Sequence, residues 1–139
     1  MTVSEAIIQW LMGFNPADYW RMKKIDTEQQ GAGVDSYSLV KEPVQNVKKF
    51  LSGKKIYTGH YTIQARLSSG TEADRIDNNG FGEALENWVG EKDFKGEYPE
   101  LTDAVVKGVN VTTPFYVGRT DNNSAVYQMT IAIKYEKEK

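Results

Sequence analysis

The feature that most constrains this fold is a run of alternating side chains near the end of the sequence. Between Val126 and Lys139, large apolar residues occupy every second position: Tyr127, Met129, Ile131, Ile133 and Tyr135. Because successive side chains of a strand point to opposite faces, this spacing predicts a strand that buries one face. The residues between them form a polar opposite face: Gln128, Thr130, Ala132 and Lys134.

A second strand with the same period is predicted at residues 55–67. Its apolar face carries Tyr57, Gly59, Tyr61, Ile63, Ala65 and Leu67. Its polar face carries Thr58, His60, Thr62, Gln64 and Arg66. Two strands that each hide one face need other elements to cover that face, so they predict a sheet packed against helices.

Two helices are predicted to provide this cover. At residues 2–13, Thr2 and Glu5 have the spacing of a capping box, and apolar residues follow at helical intervals. A second helix is predicted at residues 79–90, with Gly90 at its C-terminus. Its apolar stripe consists of Phe81, Leu85, Trp88 and Val89. Its N-cap is expected to be one of Asp77, Asn78 and Asn79.

The remaining segments complete a single α+β domain over residues 1–139. Shorter strands are predicted at residues 18–25, 36–41, 104–112 and 115–119. The predicted connections are a loop at 26–35, one or two helical turns or an irregular crossing at 44–53, a polar turn-rich stretch at 68–79, a connector at 91–103 and a hairpin turn at 120–123. This order predicts an antiparallel (mixed) sheet of about five to six strands with two main helices on one face.

Composition limits the classes of function. The net charge of −2 lacks the strong basic excess that is typical of nucleic-acid binding. The chain has no cysteine, which excludes disulfides, thiolate metal sites and cysteine nucleophiles. There is no signal-peptide pattern at the N-terminus and no run of about 20 apolar residues that could cross a bilayer. We therefore expect no membrane partner.

No pattern of reactive residues predicts an enzyme, a metal site or a cofactor. His60 is the only histidine and has no flanking partner residue. Asp77, Asn79 and Glu86 have the spacing of calcium ligands, but Arg75 then falls on the first ligand position. Glu83 and Glu86 flank the predicted apolar stripe, which indicates a solvated helix face. A ligand-binding or enzymatic α+β domain stays as an alternative, and it would require a concave pocket with converging polar groups.

Aromatic residues are a second candidate for function. They make up 12% of the chain, more than the core of one small sheet accommodates. We expect some of them near the surface: Tyr19, Trp20, Tyr37, Phe94, Tyr98 and Tyr116. Because aromatic side chains are enriched at protein–protein interfaces, this surplus favours oligomerisation.

Several segments carry a family resemblance over about residues 15–135. These segments are Ser36 to Leu39, Gly53 to Lys55, the alternating run Y-T-I-Q-A-R, Asp74-Arg75, the stretch from Phe81 to Trp88, Leu101 after a proline, Pro114, and the terminal run from Tyr127 to Tyr135. In this order they resemble the minor capsid or tail terminator (tail completion) proteins of long-tailed bacteriophages, including prophage copies in Gram-positive bacteria.

The resemblance implies a structural role without enzymatic activity. Tail terminators form a ring, commonly hexameric, at the head-proximal end of the tail tube, where they stop tube growth. The implied partners are further copies of the chain, the tail tube protein and the head–tail connector protein. DNA passes through the ring without specific binding. The implied location is the virion, after assembly in the cytoplasm of the bacterial host. Another neck or tail component, such as a head-closure or tube protein, is the alternative.

The two alternating strands also predict where a neighbouring copy binds. Their polar faces are rich in hydroxyl and amide groups but short of charge, which is unusual for a plain solvent face. The candidate oligomer interface consists of Thr58, His60, Thr62, Gln64, Gln128 and Thr130, together with Tyr19 and Trp20 from the mixed strand near the N-terminus.

Overall fold

The two alternating runs lie side by side at the centre of a sheet in a computed structural model, which describes residues 2–14, 25–27, 36–120 and 123–138. Within that part, the elements in chain order are α1 (Val3–Leu11), β1 (Ile25–Thr27), β2 (Ser36–Lys49), β3 (Lys54–Ser68), α2 (Glu72–Lys95), β4 (Val105–Thr120) and β5 (Ser124–Glu138). The strands form a five-stranded sheet in the order β1-β2-β3-β5-β4. Only the β1–β2 pair is parallel among the described strands. The predicted α+β class is confirmed.

The central pair β3–β5 explains why the alternating runs match. The strands pair without interruption from Lys54 opposite Glu138 to Ser68 opposite Ser124. This register places the apolar residues of both runs on one face, where the two helices cover them. The centre of the core consists of Tyr61, Ile63, Leu67, Met129, Ile131 and Ile133. Both runs are therefore confirmed as strands with one buried face.

Helix α1 begins as the sequence predicts. The hydroxyl oxygen of Thr2 accepts the backbone N–H of Glu5 at 3.1 Å, and the Glu5 carboxylate accepts the backbone N–H of Thr2 at 3.2 Å. This capping box satisfies N–H groups that a helix start leaves free. Ile7 and Leu11 are fully buried in the core. The Trp10 ring packs 4.7 Å from that of Trp88, which joins α1 to α2.

Helix α2 is twice as long as predicted. It starts after Thr71, whose hydroxyl accepts the backbone N–H of Asp74 at 3.1 Å, and it ends at Gly96, whose φ is 72°. A left-handed residue at this position is most often glycine, because it lacks a Cβ. The expected N-cap at residues 77–79 and the expected end at Gly90 are therefore wrong. The apolar stripe begins only at Phe81, so the polar first turns carried no periodic signal.

Asn78 shows why the polar start of α2 stays helical. It is 1% exposed, and its side-chain amide donates to the backbone oxygen of Ser68 at 2.8 Å and to the Tyr127 hydroxyl at 3.3 Å. These bonds satisfy a buried polar group and attach the first half of α2 to the end of β3 and to β5. A residue predicted as a cap is thus a buried link between helix and sheet.

Two prolines lie inside strands that were expected to stop there. Strand β2 continues past Pro43 to Lys49, and its register with β3 shifts between Lys41 and Gln45. The expected end before Pro43 and the helical turn or crossing at 44–53 are wrong. Strand β4 likewise includes Pro114, within a register shift between Thr113 and Tyr116. Proline lacks a backbone N–H, so edge positions and irregular pairings of this kind tolerate it.

The other predictions have mixed outcomes. The predicted loop at 26–35 is wrong at residues 26 and 27, which belong to β1. The predicted connector begins too early, because α2 extends to Lys95. Tyr37 is only 1% exposed, so its predicted surface position is wrong, whereas Phe94 at 91% and Tyr116 at 46% are exposed as expected. Tyr19, Trp20, most of the strand predicted at 18–25 and part of the β4–β5 turn lie outside the described residues.

Candidate functional site: the polar face of the sheet

The polar face is the side of the sheet opposite the two helices. Residues directly opposite in an antiparallel pair point to the same side. Gln64 lies opposite Gln128, and Thr62 lies opposite Thr130. Further along β3, His60 lies opposite Ala132 and Thr58 lies opposite Lys134. The structure therefore brings the six described residues of the predicted interface into one continuous area.

Hydrogen bonds run across this face through four strands. The hydroxyl oxygens of Thr62 and Thr130 are 3.0 Å apart, and Thr62 also donates to the carboxylate of Glu42 on β2. The Tyr116 hydroxyl on β4 donates to the Gln128 side-chain oxygen at 3.0 Å. The polar face is thus an ordered layer of hydroxyl and amide groups joined by the Glu42 carboxylate.

Three contributors to this layer were missed by the sequence interpretation. Ser38 donates to the Gln64 side-chain oxygen at 3.4 Å, and Glu42 and Tyr116 make the bonds described above. Ser38 lies within the strand predicted at 36–41, but that strand's neighbour was not known from the sequence, and Glu42 lies beyond its expected end. Tyr116 was expected near the surface, and its partner Gln128 could be identified only once the β4–β5 register was known.

Burial separates the residues of the polar face into two groups. Thr62 is 4% exposed and is fully engaged by Glu42 and Thr130, so it is a structural residue of the face. The side chains of Thr58, His60, Gln64, Gln128 and Thr130 are half-buried. These half-buried side chains are the ones that a binding partner can reach.

His60 is half-buried on the polar face. Its Nδ1 atom is buried and has no hydrogen-bond partner among the described residues. Within those same residues, no three His, Cys, Asp or Glu side chains are placed to hold a metal ion. On the polar face His60 lies between Thr58 and Thr62 along β3 and opposite Ala132 on β5.

Two carboxylates of α2, those of Glu86 and Asp93, serve the fold. Glu86 accepts the backbone N–H of Phe115 at 2.8 Å, and Asp93 accepts the backbone N–H of Val109 at 3.1 Å. Asp93 also accepts the Tyr98 hydroxyl at 2.9 Å, which raises the pKa of Tyr98. The predicted solvated position of Glu86 is therefore wrong, because it satisfies the backbone of β4 near Pro114. The spacing of calcium ligands at 75–86 falls on a continuous helix.

Comparison with known proteins adds no family to this description. The sequence matches no protein-family model and no curated protein. In the described part of the chain, neither helix combines the length and the apolar character that crossing a membrane requires.

Proposed function

We propose that this protein is a structural component of phage tail assembly that resembles a tail terminator. In this role, copies of the chain form a ring at the head-proximal end of the tail tube. The ring covers the surface onto which the next tube subunit would add, and it presents its other side to the head–tail connector. The protein acts by binding, without a catalytic step.

The observation that carries the proposal is the ordered and mainly uncharged character of the polar face. Its centre consists of hydroxyl and amide groups with one carboxylate, that of Glu42, which accepts a bond from Thr62, while Arg66 and Lys134 lie towards its two ends. Burying a charge without a partner is costly, whereas neutral donors and acceptors can pair with the same groups on another molecule. A sheet face of this composition suits a protein–protein contact better than it suits open solvent.

Two further observations support the same role. The segment order resembles that of tail terminators over about residues 15–135, and the α+β sheet has the architecture that this resemblance implies. The net charge of −2 is compatible with a ring through which DNA passes, because a strongly basic lumen would hold the phosphates.

The test is the mass of the protein in solution, alone and with purified tail tubes. We expect a defined oligomer, and rings at tube ends in electron micrographs. The double variant Gln64→Arg/Gln128→Arg should weaken assembly, because it places two charges in the centre of the polar face. The matched control is Asn79→Arg/Asn87→Arg, which makes the same change at two exposed positions of α2.

Three outcomes would contradict the proposal in different ways. A wild-type chain that stays monomeric and does not cap tubes would exclude the terminator role. Incorporation along the whole tube, rather than at its ends, would identify a tube component instead. Equal assembly of the Gln64→Arg/Gln128→Arg variant and its control would exclude the polar face as the interface.

A further inference from the structure

The turn between β2 and β3 exposes apolar side chains among lysines. We call residues 48–55 the hairpin tip. Leu51 is fully exposed and Phe50 is 39% exposed at the end of the hairpin. The flanking lysines are Lys48, Lys49, Lys54 and Lys55, and the segment has no acidic residue, so its net charge is +4. An exposed apolar pair within a basic segment is unusual for a solvent-facing turn and marks an interaction site.

The lysines of the hairpin tip keep most of their charge available. The ammonium groups of Lys48 and Lys54 lie 5.4 Å and 5.6 Å from the centre of the Phe50 ring. Lys54 also pairs with Glu136 at 3.2 Å. Lys48, Lys49 and Lys55 form no ion pair with any residue that the structure describes. The hairpin tip therefore presents uncompensated positive charge around two apolar side chains.

A groove of the opposite character lies beside the start of β4. We call it the connector groove, because the segment between α2 and β4 forms most of its wall. It consists of two adjoining cavities of about 600 Å³ and about 560 Å³ that share Leu101, Ala104 and Val105. Trp10, Tyr98 and Pro99 add to its apolar lining, and Val105 is 60% exposed. Each of the two cavities lies in the size range of clefts that accept ligands, roughly 300–1,000 Å³.

The rim of the connector groove is mainly acidic. The charged residues that line it are four acidic ones, Glu97, Glu100, Asp103 and Glu136, and two basic ones, Lys92 and Lys107. Glu100 and Asp103 are exposed and form no ion pair with described residues. Lys92 is held by Glu97 at 3.2 Å, and Lys107 lies 3.6 Å from Glu136, so both basic groups at the rim have acidic partners. The rim thus complements the charge of the hairpin tip.

The sheet places the hairpin tip and the connector groove where neighbouring copies can join them. Both lie at the same end of the sheet, because Lys54 pairs with Glu138 and Val105 pairs with Glu136. The hairpin tip joins β2 to β3 and the groove borders β4, the last strand in the order, so β5 separates them, and Glu136 of β5 both pairs with Lys54 of the tip and lines the groove. Copies placed side by side in the same orientation would bring one tip to the next groove. Repeated contacts of this head-to-tail kind form a ring when the rotation between successive copies closes.

We infer that the hairpin tip of one copy binds in the connector groove of the next, with Phe50 and Leu51 in the apolar lining and the lysines against Glu100 and Asp103. This contact rests on the proposed assembly into a ring and names two surfaces of that assembly, in addition to the polar face. The partner is a second copy, because the same chain carries both complementary surfaces.

Site-directed crosslinking tests this contact directly, because the natural chain has no cysteine. Full-length Leu51→Cys chains are mixed with Val105→Cys chains and treated with a short thiol crosslinker. The control mixture replaces Val105→Cys with Ile76→Cys, since Val105 and Ile76 are 60% and 61% exposed. We expect the Leu51–Val105 product to form at least about tenfold faster than the control product, because binding raises the local concentration of the two thiols. Equal rates would overturn the inference.

A charge exchange provides the second test. Lys48→Glu/Lys49→Glu should weaken assembly, and so should Glu100→Lys/Asp103→Lys. Chains that carry both pairs of changes should assemble again, because the complementary charges are restored in reversed order. Failure of the combined variant to recover would count against the contact.

The same experiments separate this inference from the proposed function. If the wild type assembles and Leu51→Ser assembles equally well, the ring stands and the tip–groove contact is excluded. If the wild type is monomeric with and without tail tubes, the proposed function itself fails. Binding of the monomer to anionic lipid vesicles or to duplex DNA, lost in Lys48→Glu/Lys49→Glu, would assign the hairpin tip to a different partner and overturn the inference.

Discussion

The two faces of the sheet are built from the same strands but from different chemistry. On β5, Ile131 is fully buried against the helices, while its sequence neighbour Thr130 lies half-buried in a hydrogen-bonded layer on the other side. Burial of apolar surface is the main source of folding free energy, so the helix-covered face is explained by stability. The side chains of the polar face add less to folding stability, so they can serve contacts with another molecule. The predictions below test this division of roles.

The largest expected difference lies between two adjacent residues of β5. Ile131→Ala should lower the free energy of unfolding by about 2–5 kcal/mol, because it removes buried methyl groups and leaves a cavity. Thr130→Ala should cost only about 0.5–1.5 kcal/mol, the net value of one hydrogen bond. Urea unfolding of both variants measures the difference. Comparable losses would show that the polar face contributes to folding as strongly as the core does.

The helical cover gives a second pair of variants, at two glycines of α2. A Cβ at Gly82 would lie 2.2 Å from a ring carbon of Phe115 and 2.9 Å from its Cβ. That ring is stacked on Tyr127 with centroids 5.1 Å apart, and the Phe115 N–H is held by Glu86. Because Phe115 has little room to move, Gly82→Ala should destabilise the protein by roughly 1–3 kcal/mol.

Gly90 is the matched control for this variant. Nothing lies within 4 Å of a Cβ added there. Alanine is a better helix former than glycine by roughly 0.5–1 kcal/mol, so Gly90→Ala should raise the midpoint of thermal unfolding. Thermal melts of the two variants should therefore shift in opposite directions. A stabilising Gly82→Ala would mean that α2 can move away from β4 without loss.

The covered face could be predicted from the sequence, whereas the ends of its elements could not. The period-2 runs around Ile63 and Ile131 report burial directly, because each large side chain must avoid water. The start of α2 at Thr71 gave no such signal, since its first turns are polar and Asn78 is buried only through bonds to Ser68 and Tyr127. Pro43 and Pro114 suggested strand ends, because proline lacks a backbone N–H. Whether a strand tolerates this loss depends on its register with the partner strand, which the sequence does not show.

The candidate surfaces were predictable to different degrees. Residues such as Gln64 and Gln128 could be assigned to one face, because period alone determines the side of a strand. The bonding partners of Gln64, Thr62 and Gln128 are Ser38, Glu42 and Tyr116, respectively. These pairs depend on which strands are neighbours, and one sequence does not state that order. The hairpin tip was expected to be helical or irregular. The exposure of Leu51 became evident only when β2 and β3 were found to pair up to Lys49 and Lys55.

A smaller effect should separate structural from binding residues within the polar face. Thr62→Val keeps the shape of the side chain but removes the hydroxyl that contacts Glu42 and Thr130, so we expect a loss of about 1 kcal/mol in unfolding free energy. Because Thr62 is only 4% exposed, the affinity between copies should not change. Sedimentation measured over a range of concentrations tests the second expectation. If Thr62→Val impairs assembly as much as Gln64→Arg/Gln128→Arg does, then the buried hydroxyl layer orders the contact surface.

The smallest expected effect is a loss of folding stability in alkaline solution, and it arises from Tyr135 on the covered face. Burial raises the pKa of Tyr135, although its hydroxyl accepts a bond from the Gln45 amide at 3.0 Å that lowers it in part. The unfolded tyrosine releases its proton near pH 10, while the folded one still holds it. The contribution of Tyr135 to folding stability is therefore complete below about pH 10 and is lost as pH rises through the folded pKa.

Urea unfolding between about pH 8 and about pH 11 should show this decline in the wild type, and a shallower one in Tyr135→Phe. An unchanged slope in Tyr135→Phe would show that the alkaline decline arises elsewhere than at this buried hydroxyl.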